Sequence, residues 1–481
     1  MPPKQQAVGM KKSSESTAIR AMRELLKDYE IRAERYETTV AGSIRKQLKK
    51  AQDDDRLLTR VSLFIATFYE KILLQFLVDP QDRRLVEYWD DDKMIKALSG
   101  DVDEGLRRKK AKHKQQKEDK PLVKVLPLIE SLRARRYTQL QEFFVWDCHV
   151  ENDDSIALAG ILARGCYPLT RIELVDCFLD ARSVGTLAAA IAYSRTLRDL
   201  CLDFNDLGER GCRVLCGGLS KSRYLVHLSL SFCGLTKQCG LWIGNLVVET
   251  AIRELVLDGN PLEAEGVIAL LSQLSEAAES EGFERAEEIK RKQLAQEEAK
   301  RGARPAIDLD APEHNELPAS SEPNTTEGST ASPPPQAGKT PDKENESRSP
   351  SSKKRSKKKG KRGKKGAKNE PPPSGPQISI LRLADTGINH MGRGGNFAPV
   401  RCMQLLKSII SHSKDLQEID LFANEVGDLG ARQILEGILA RKDAKLPQIG
   451  VRMGHRINQD TFDVIHKLAP GPKKKKGKAK K

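Results

Sequence analysis

Nine cysteines and eight histidines are the side chains here best able to ligate a metal, attack a carbonyl or move a proton, and their spacing decides whether such chemistry is on offer. It is not. No two cysteines form the CxxC pair that a structural zinc site wants. No histidines stand at HExxH spacing, and neither a GxxxxGK[ST] phosphate loop nor a GxSxG nucleophile turn occurs. The loop GRGGN, residues 392–396, shares only its glycines with a phosphate cradle and reads as a flexible surface insertion. His227 falls on a predicted strand, where a surface position is expected. No catalytic residue, cofactor or metal site is assigned.

The cysteines make better sense by position in a repeat. Cys148, Cys177 and Cys233 occupy the place taken elsewhere by Asn205, Asn260 and Asn424 in a recurring template LxxLxLxx(N/C)xL. It runs as LQEFFVWDCHV from Leu140, LTRIELVDCFL from Leu169, LRDLCLDFNDL from Leu197, LVHLSLSFCGL from Leu225 and IRELVLDGNPL from Ile252, with starts 29, 28, 28 and 27 residues apart. After an interruption come ISILRLADTGI from Ile378, LQEIDLFANEV from Leu416 and a degenerate LPQIGVRMGHRI from Leu446. Behind the template follows LGxxGxxxLxxxL, as in LGERGCRVLCGGL from Leu207, whose apolar spacing of four is one face of a helix.

Each unit is therefore a strand, a turn and a helix, none of which can bury its apolar side alone. Leu200, Leu202 and Leu207 must pack on Leu228, Leu230 and Leu235 of the next unit, with Leu215 and Leu219 closing the layer. The Asn or Cys sits where the turn aims backbone polar groups away from water; an amide can bond them, and a small thiol tolerates the burial. The fold class is α/β: a curved parallel sheet inside and helices outside, a solenoid of eight repeats split five and three.

This pattern resembles the leucine-rich repeats of the ribonuclease-inhibitor type, over roughly residues 137–275 and 376–468. The resemblance implies a solenoid with a protein-binding concave face, in a class that also holds the Ran GTPase activator, sensor domains of NOD-like receptors and axonemal proteins. Fold alone does not choose among them. The Ran activator typically ends in an acidic segment, whereas this chain ends in KKKKGKAKK, and no functional arginine is carried over.

Composition places the rest. The net charge of +15 comes from two basic runs, Lys353–Lys368 with 11 lysines and arginines and Lys473–Lys481 with 7, outside which the body is slightly acidic. The first run could be a nuclear signal, an RNA-binding tail or an anchor on an acidic protein surface, and without aromatic residues it offers bases nothing to stack on. Residues 1–13 and the Pro-, Ser- and Thr-rich part of the 276–377 insertion should be disordered, after a charged helix beginning near Glu276. Ser332, Thr340 and Ser349 each precede proline and are candidate kinase sites there. Residues 14–136 read as helical, with Asp53–Asp55 opening a helix through Leu57–Val78, and residues 469–481 as a basic tail. With no secretory h-region and an odd cysteine count, the expected setting is cytoplasmic, with cytoskeleton or flagellum as the place and the nucleus as the alternative.

The register of the repeat also names the residues around the strand leucines. They are Phe144, Trp146, Phe204, Phe232 and Phe422, with the acids Asp147, Glu173, Asp176, Asp203, Asp258, Asp385 and Asp420. An aromatic and acidic groove suits a basic or amphipathic protein segment and repels a nucleic-acid backbone. The chain thus reads as a protein-binding scaffold, with a small-GTPase regulator and a nuclear or ribosome-assembly factor as alternatives.

Overall fold

The computed structural model describes residues 16–64, 123–302, 371–373, 375–454 and 456–470. Two units divide the chain, residues 1–288 with 369–481, and 289–368. The proposed kinase sites, both basic runs, residues 1–13 and most of Leu57–Val78 lie outside the described residues.

In the first unit, nine strands form one sheet in sequence order, every neighbouring pair parallel. They are β1 (Arg60–Phe64), β2 (Glu142–Trp146), β3 (Arg171–Val175), β4 (Asp199–Cys201), β5 (His227–Ser229), β6 (Glu254–Val256), β7 (Ile380–Arg382), β8 (Glu418–Leu421) and β9 (Gly450–Met453). The register puts the template leucines in one line: Ile172 beside Leu200, Leu200 beside Leu228, Leu228 beside Leu255 and, across the insertion, Leu255 beside Leu381. All are buried, and Leu202, Leu207, Leu215, Leu219, Leu230 and Leu235 share their core as the spacing requires.

Strand β1 corrects the helix expected through Leu57–Val78, which is a strand at Arg60–Phe64. Leu58, Val61 and Leu63 keep the LxxLxL spacing with valine in its middle place, and Val61 and Leu63 pair in register with Phe143 and Val145. Asp53–Asp55, expected to open a helix, instead end one: Asp53 closes α2 (Gly42–Asp53), and Asp55 turns the chain at φ 47°. Ahead of α2, α1 (Thr17–Arg35) starts at Ser16, whose hydroxyl accepts from the Ile19 amide, and buries Met22, Leu25 and Tyr29. Arg32 of α1 binds Glu130 at 2.8 Å on α3 (Leu126–Ala134), which ties this helical cap to the first repeats.

Strand edges are unpaired backbone, and both ends of this sheet are covered. At β1 the Gln47 side chain donates to the Ser62 carbonyl at 2.6 Å and accepts from the Ser62 amide at 3.0 Å. At β9 the Val451 amide donates to the Ala469 carbonyl, and Pro470 bridges antiparallel to Gly450.

The repeat helices are α4 (Asn152–Leu162), α5 (Ala181–Ile191), α6 (Gly208–Leu219), α7 (Cys239–Glu249), α8 (Glu263–Gly302), α9 (Phe397–His412), α10 (Gly427–Asp443) and α11 (Gln459–Leu468). The charged segment expected from Glu276 continues α8 without a break. Between strand and helix the Asn seat works as its chemistry predicts. The Asn205 carbonyl accepts from the Cys177 and Leu179 amides of the previous repeat, while its NH2 donates to the Leu174 and Leu202 carbonyls. Asn260 does the same for Cys233, Leu235, Leu230 and Leu257, and Asn424 for Thr386, Ile388, Leu383 and Leu421. The alternating thiols of Cys177 and Cys233 donate to carbonyls of the strand before them at 3.3 Å. Burial pushes the Cys148 thiol up to about 12 and that of Cys177 higher, so these sulfurs stay protonated and inert.

Candidate protein-binding face

Side chains that leave the sheet away from the helices form rows across the strands, one residue per repeat. The first row carries charge of alternating sign. Arg60 of β1 is ion-paired with Glu142 of β2, and further along His227 meets Glu254 at 3.1 Å. His227 is buried, not placed at the surface as its strand position suggested.

The second row runs beside the leucine line on the opposite face of the sheet. Phe144, expected to be exposed, is only 4% so. The Arg60 and Arg171 guanidinium carbons lie 5.2 and 5.4 Å from its ring centroid, one from each neighbouring strand, in cation–π geometry. Trp146 stacks beside it at 6.0 Å and is half-buried. Glu173, in the same row, is buried against Arg171. At the other end, buried Asp420 lies between Arg452 at 3.1 Å and Arg382 at 3.7 Å, and Arg452 covers the Phe422 ring at 4.3 Å.

The third row uses its acids internally too. Asp203 accepts from the Ser229 hydroxyl at 2.7 Å and the Ser231 amide at 2.8 Å. Asp258 takes the Arg382 guanidinium at 2.8 Å and the Ala384 amide at 2.9 Å across the insertion. Burial raises its carboxyl above the ordinary range despite that partner. The acidic groove is thereby corrected: Glu173, Asp258 and Asp420 are neutralised by Arg171, Arg382 and Arg452, and Asp203 is satisfied by two serines. None of these arginines was named from the sequence: Arg171 stands two residues before Glu173 on the same strand, Arg452 is 32 residues beyond Asp420, and Arg382 is brought to Asp258 only across the insertion, 124 residues on.

Exposure concentrates in the fourth row, at the turn that leaves each strand, where the backbone is left-handed: Asp147, Asp176, Phe204, Phe232, Gly259 and Asp385 have φ between 49° and 69°. Asp385 is exposed and Asp147 and Asp176 half-exposed. Phe204 and Phe232 are 53% and 48% exposed, with ring centroids 4.8 Å apart and planes within 10° of parallel. A bulky residue at positive φ is an outlier, and two in adjacent repeats mark a place where backbone strain is tolerated. The next repeat has Gly259, and it must. A Cβ there would lie 2.2 Å from the Phe232 ring, so the glycine lets the ring lie flat along the edge. Phe178, not singled out from the sequence, stands two residues past the equivalent place in the previous repeat, which Asp176 holds, and is 66% exposed and edge-on to His149 at 6.1 Å. Its neighbourhood includes the exposed Asp206.

This arrangement offers stacked aromatic faces beside carboxylates, suited to gripping a protruding apolar or cationic side chain. No helix among the described residues is long and apolar enough to cross a membrane.

No protein-family model matches the chain. Among curated proteins, the ribonuclease inhibitor of Sus scrofa is 37% identical over 113 residues, covering 23% of this chain and 25% of that protein. The Mus musculus ribonuclease inhibitor is 32% identical over 125 residues, 26% and 27% of the two chains. NACHT, LRR and PYD domains-containing protein 5 of Homo sapiens is 37% identical over 91 residues, 19% of this chain and 8% of that one. The matching part thus spans about a quarter of the inhibitors' length and less of the NACHT protein.

Proposed function

We propose that this chain, a leucine-rich-repeat solenoid of the ribonuclease-inhibitor type, is a non-catalytic scaffold that holds another protein at the turn edge of its sheet. The observation that carries the reading is the Phe204–Phe232 shelf: two stacked rings, half-exposed on left-handed backbone, flanked by Asp176 and Asp206. Central exposed aromatics are the residues that dominate protein interfaces. The partner is a basic or amphipathic segment whose apolar side chain or guanidinium lies on the rings while its cations meet Asp147, Asp176, Asp206 and Asp385. Trp146, Phe178 and Phe422 flank the same path. The sheet face itself, with its arginines and acids already paired, sets the register and adds little attraction.

A cytoplasmic placement within a cytoskeletal or axonemal assembly suits a scaffold of this kind. The 40-residue α8 supports it, a charged helix on which Phe283 is 67% exposed. Affinity capture with the wild-type chain and the Phe204→Ala/Phe232→Ala variant tests the site. Partners should be retained by the former and lost by the latter, and equal recovery sinks it. Imaging of the tagged chain tests the placement, since filamentous or flagellar, nuclear-rim and nucleolar patterns are distinct.

A further inference from the structure

The two large apolar side chains most exposed among the described residues are not on the shelf. Phe397 is 83% and Met391 79% exposed, and they bracket the glycine-rich loop between β7 and α9. The loop is ordered by its own turns, Gly395 amide to Gly392 carbonyl at 3.0 Å and Ala398 amide to Gly395 carbonyl at 3.2 Å. A carboxylate from another repeat also grips it. Glu265, in the first turn of α8, accepts from the Arg393 amide at 2.8 Å. A Cβ on Gly392 would come within 2.9 Å of both carboxylate oxygens, so the glycine makes room for the anion. Its own backbone amide first, and then the amides of Arg393 and Gly394, hold the Glu265 carboxyl below its usual range. The hollow that resembled a phosphate cradle is therefore filled by the chain's own anion, a backbone nest closed from within.

A pinned loop cannot refold to hide its apolar side chains, so Met391 and Phe397 are held out in water. Two cations stand with them. Arg393 is exposed in the loop, and Arg401 lies one helical turn after Phe397 on the same face of α9. Neither has a carboxylate within ion-pair distance among the described residues, whereas neighbouring His390 is already held by Glu425 at 3.0 Å.

We propose that Met391, Arg393, Phe397 and Arg401 form a second docking surface, whose occupant is an acidic protein segment with an apolar anchor. Leucine or an aromatic residue of the segment packs on Met391 and Phe397, and its carboxylates take the two guanidiniums. The Glu425 carboxylate, held against His390 beside the loop, disfavours a continuous anionic surface such as a membrane, so a discrete peptide fits better. The surface stands independently of the aromatic shelf, which selects the opposite charge.

Panning a random 12-residue phage-displayed peptide library on the full chain tests this. Enriched peptides should combine Asp or Glu with Leu, Phe or Trp. They should bind Met391→Ala/Phe397→Ala and Arg393→Glu about tenfold more weakly than wild type, and bind Phe204→Ala/Phe232→Ala unchanged. Glu265→Gln, which leaves all four contact side chains in place, should weaken them several-fold and speed trypsin cleavage after Arg393. Failure to enrich such peptides over panning on the Met391→Ala/Phe397→Ala variant overturns the proposal, as does equal binding by all variants. Sedimentation with phosphatidylserine vesicles that Arg393→Glu abolishes would assign the surface to membranes and overturn it as well.

Discussion

Replacing Gly259 by alanine asks whether the Phe232 ring lies where the shelf requires. Two separable costs follow. The first is local, since an L-residue at φ 69° carries about 1–2 kcal/mol of left-handed strain. The second belongs to the ring, because a Cβ 2.2 Å from it forces Phe232 to move. Moving it loses stacking on Phe204 worth about 0.5–1.5 kcal/mol and adds an off-rotamer cost of similar size. Gly259→Ala should therefore destabilise by about 2–5 kcal/mol, a large part of the ~5–15 kcal/mol that holds a domain together. In a Phe232→Ala background only the strain remains, about 1–2 kcal/mol, so a double-mutant cycle should give a coupling of about 1–3 kcal/mol. Urea unfolding followed by far-UV circular dichroism at 25 °C reads all four corners, provided the m-value is unchanged between them. Equal costs of Gly259→Ala in both backgrounds would refute the stacked shelf, and with it the geometry offered to a partner.

Other outcomes follow from the same structure. Asn260→Ala strands the Cys233 and Leu235 amides and the Leu230 and Leu257 carbonyls, and should cost about 3–5 kcal/mol in the same urea assay; a loss under 1 kcal/mol would contradict the seat's role. Asp154 is buried, and burial pushes its carboxyl from 3.8 up to about 6. Its folded pKa thus lies above its unfolded one, and the wild-type chain loses stability as pH rises from about 4 to 6. Asp154→Asn should be the more stable form above pH 6, with the difference vanishing below about pH 4, as thermal melts across that range would show. Titration of the native chain with a thiol reagent should modify exposed Cys166 rapidly and half-buried Cys201 slowly, the other seven reacting only on unfolding; rapid modification of Cys177 or Cys233 would mean that the seats are open.

Much of this architecture was legible because repetition makes every strand leucine the neighbour of another one repeat away, and a period survives local noise. Strand β1 was missed because Leu58, Val61 and Leu63 open a long apolar run with helix-like composition, and their partners Phe143 and Val145 lie 82 residues on. That omission had a second effect. Without β1 there was no Arg60 beside Phe144, so the ring looked exposed. Asp258 and Asp420 were read strand by strand, whereas their partners stand across strands: Arg382 reaches Asp258 over 124 residues of chain, and off the face Glu265 reaches the Arg393 amide over 128. Pairings of that kind carry no local periodicity. Phe204 and Phe232 were found from the register, but their stacking depends on Gly259, one repeat further on, whose meaning appears only when three turns are seen together.

A sheet of parallel strands is in principle extendable without limit, since each strand templates the next. Here the Gln47 amide occupies one rim and Ala469 with Pro470 the other. The number of rungs is thereby a property of one molecule, and copies cannot join rim to rim into a fibre. Association must use side-chain surfaces, which saturate, instead of backbone, which does not. Removing residues 16–53 would uncover the β1 rim and turn a terminated sheet into a seed, with concentration-dependent aggregation as its signature.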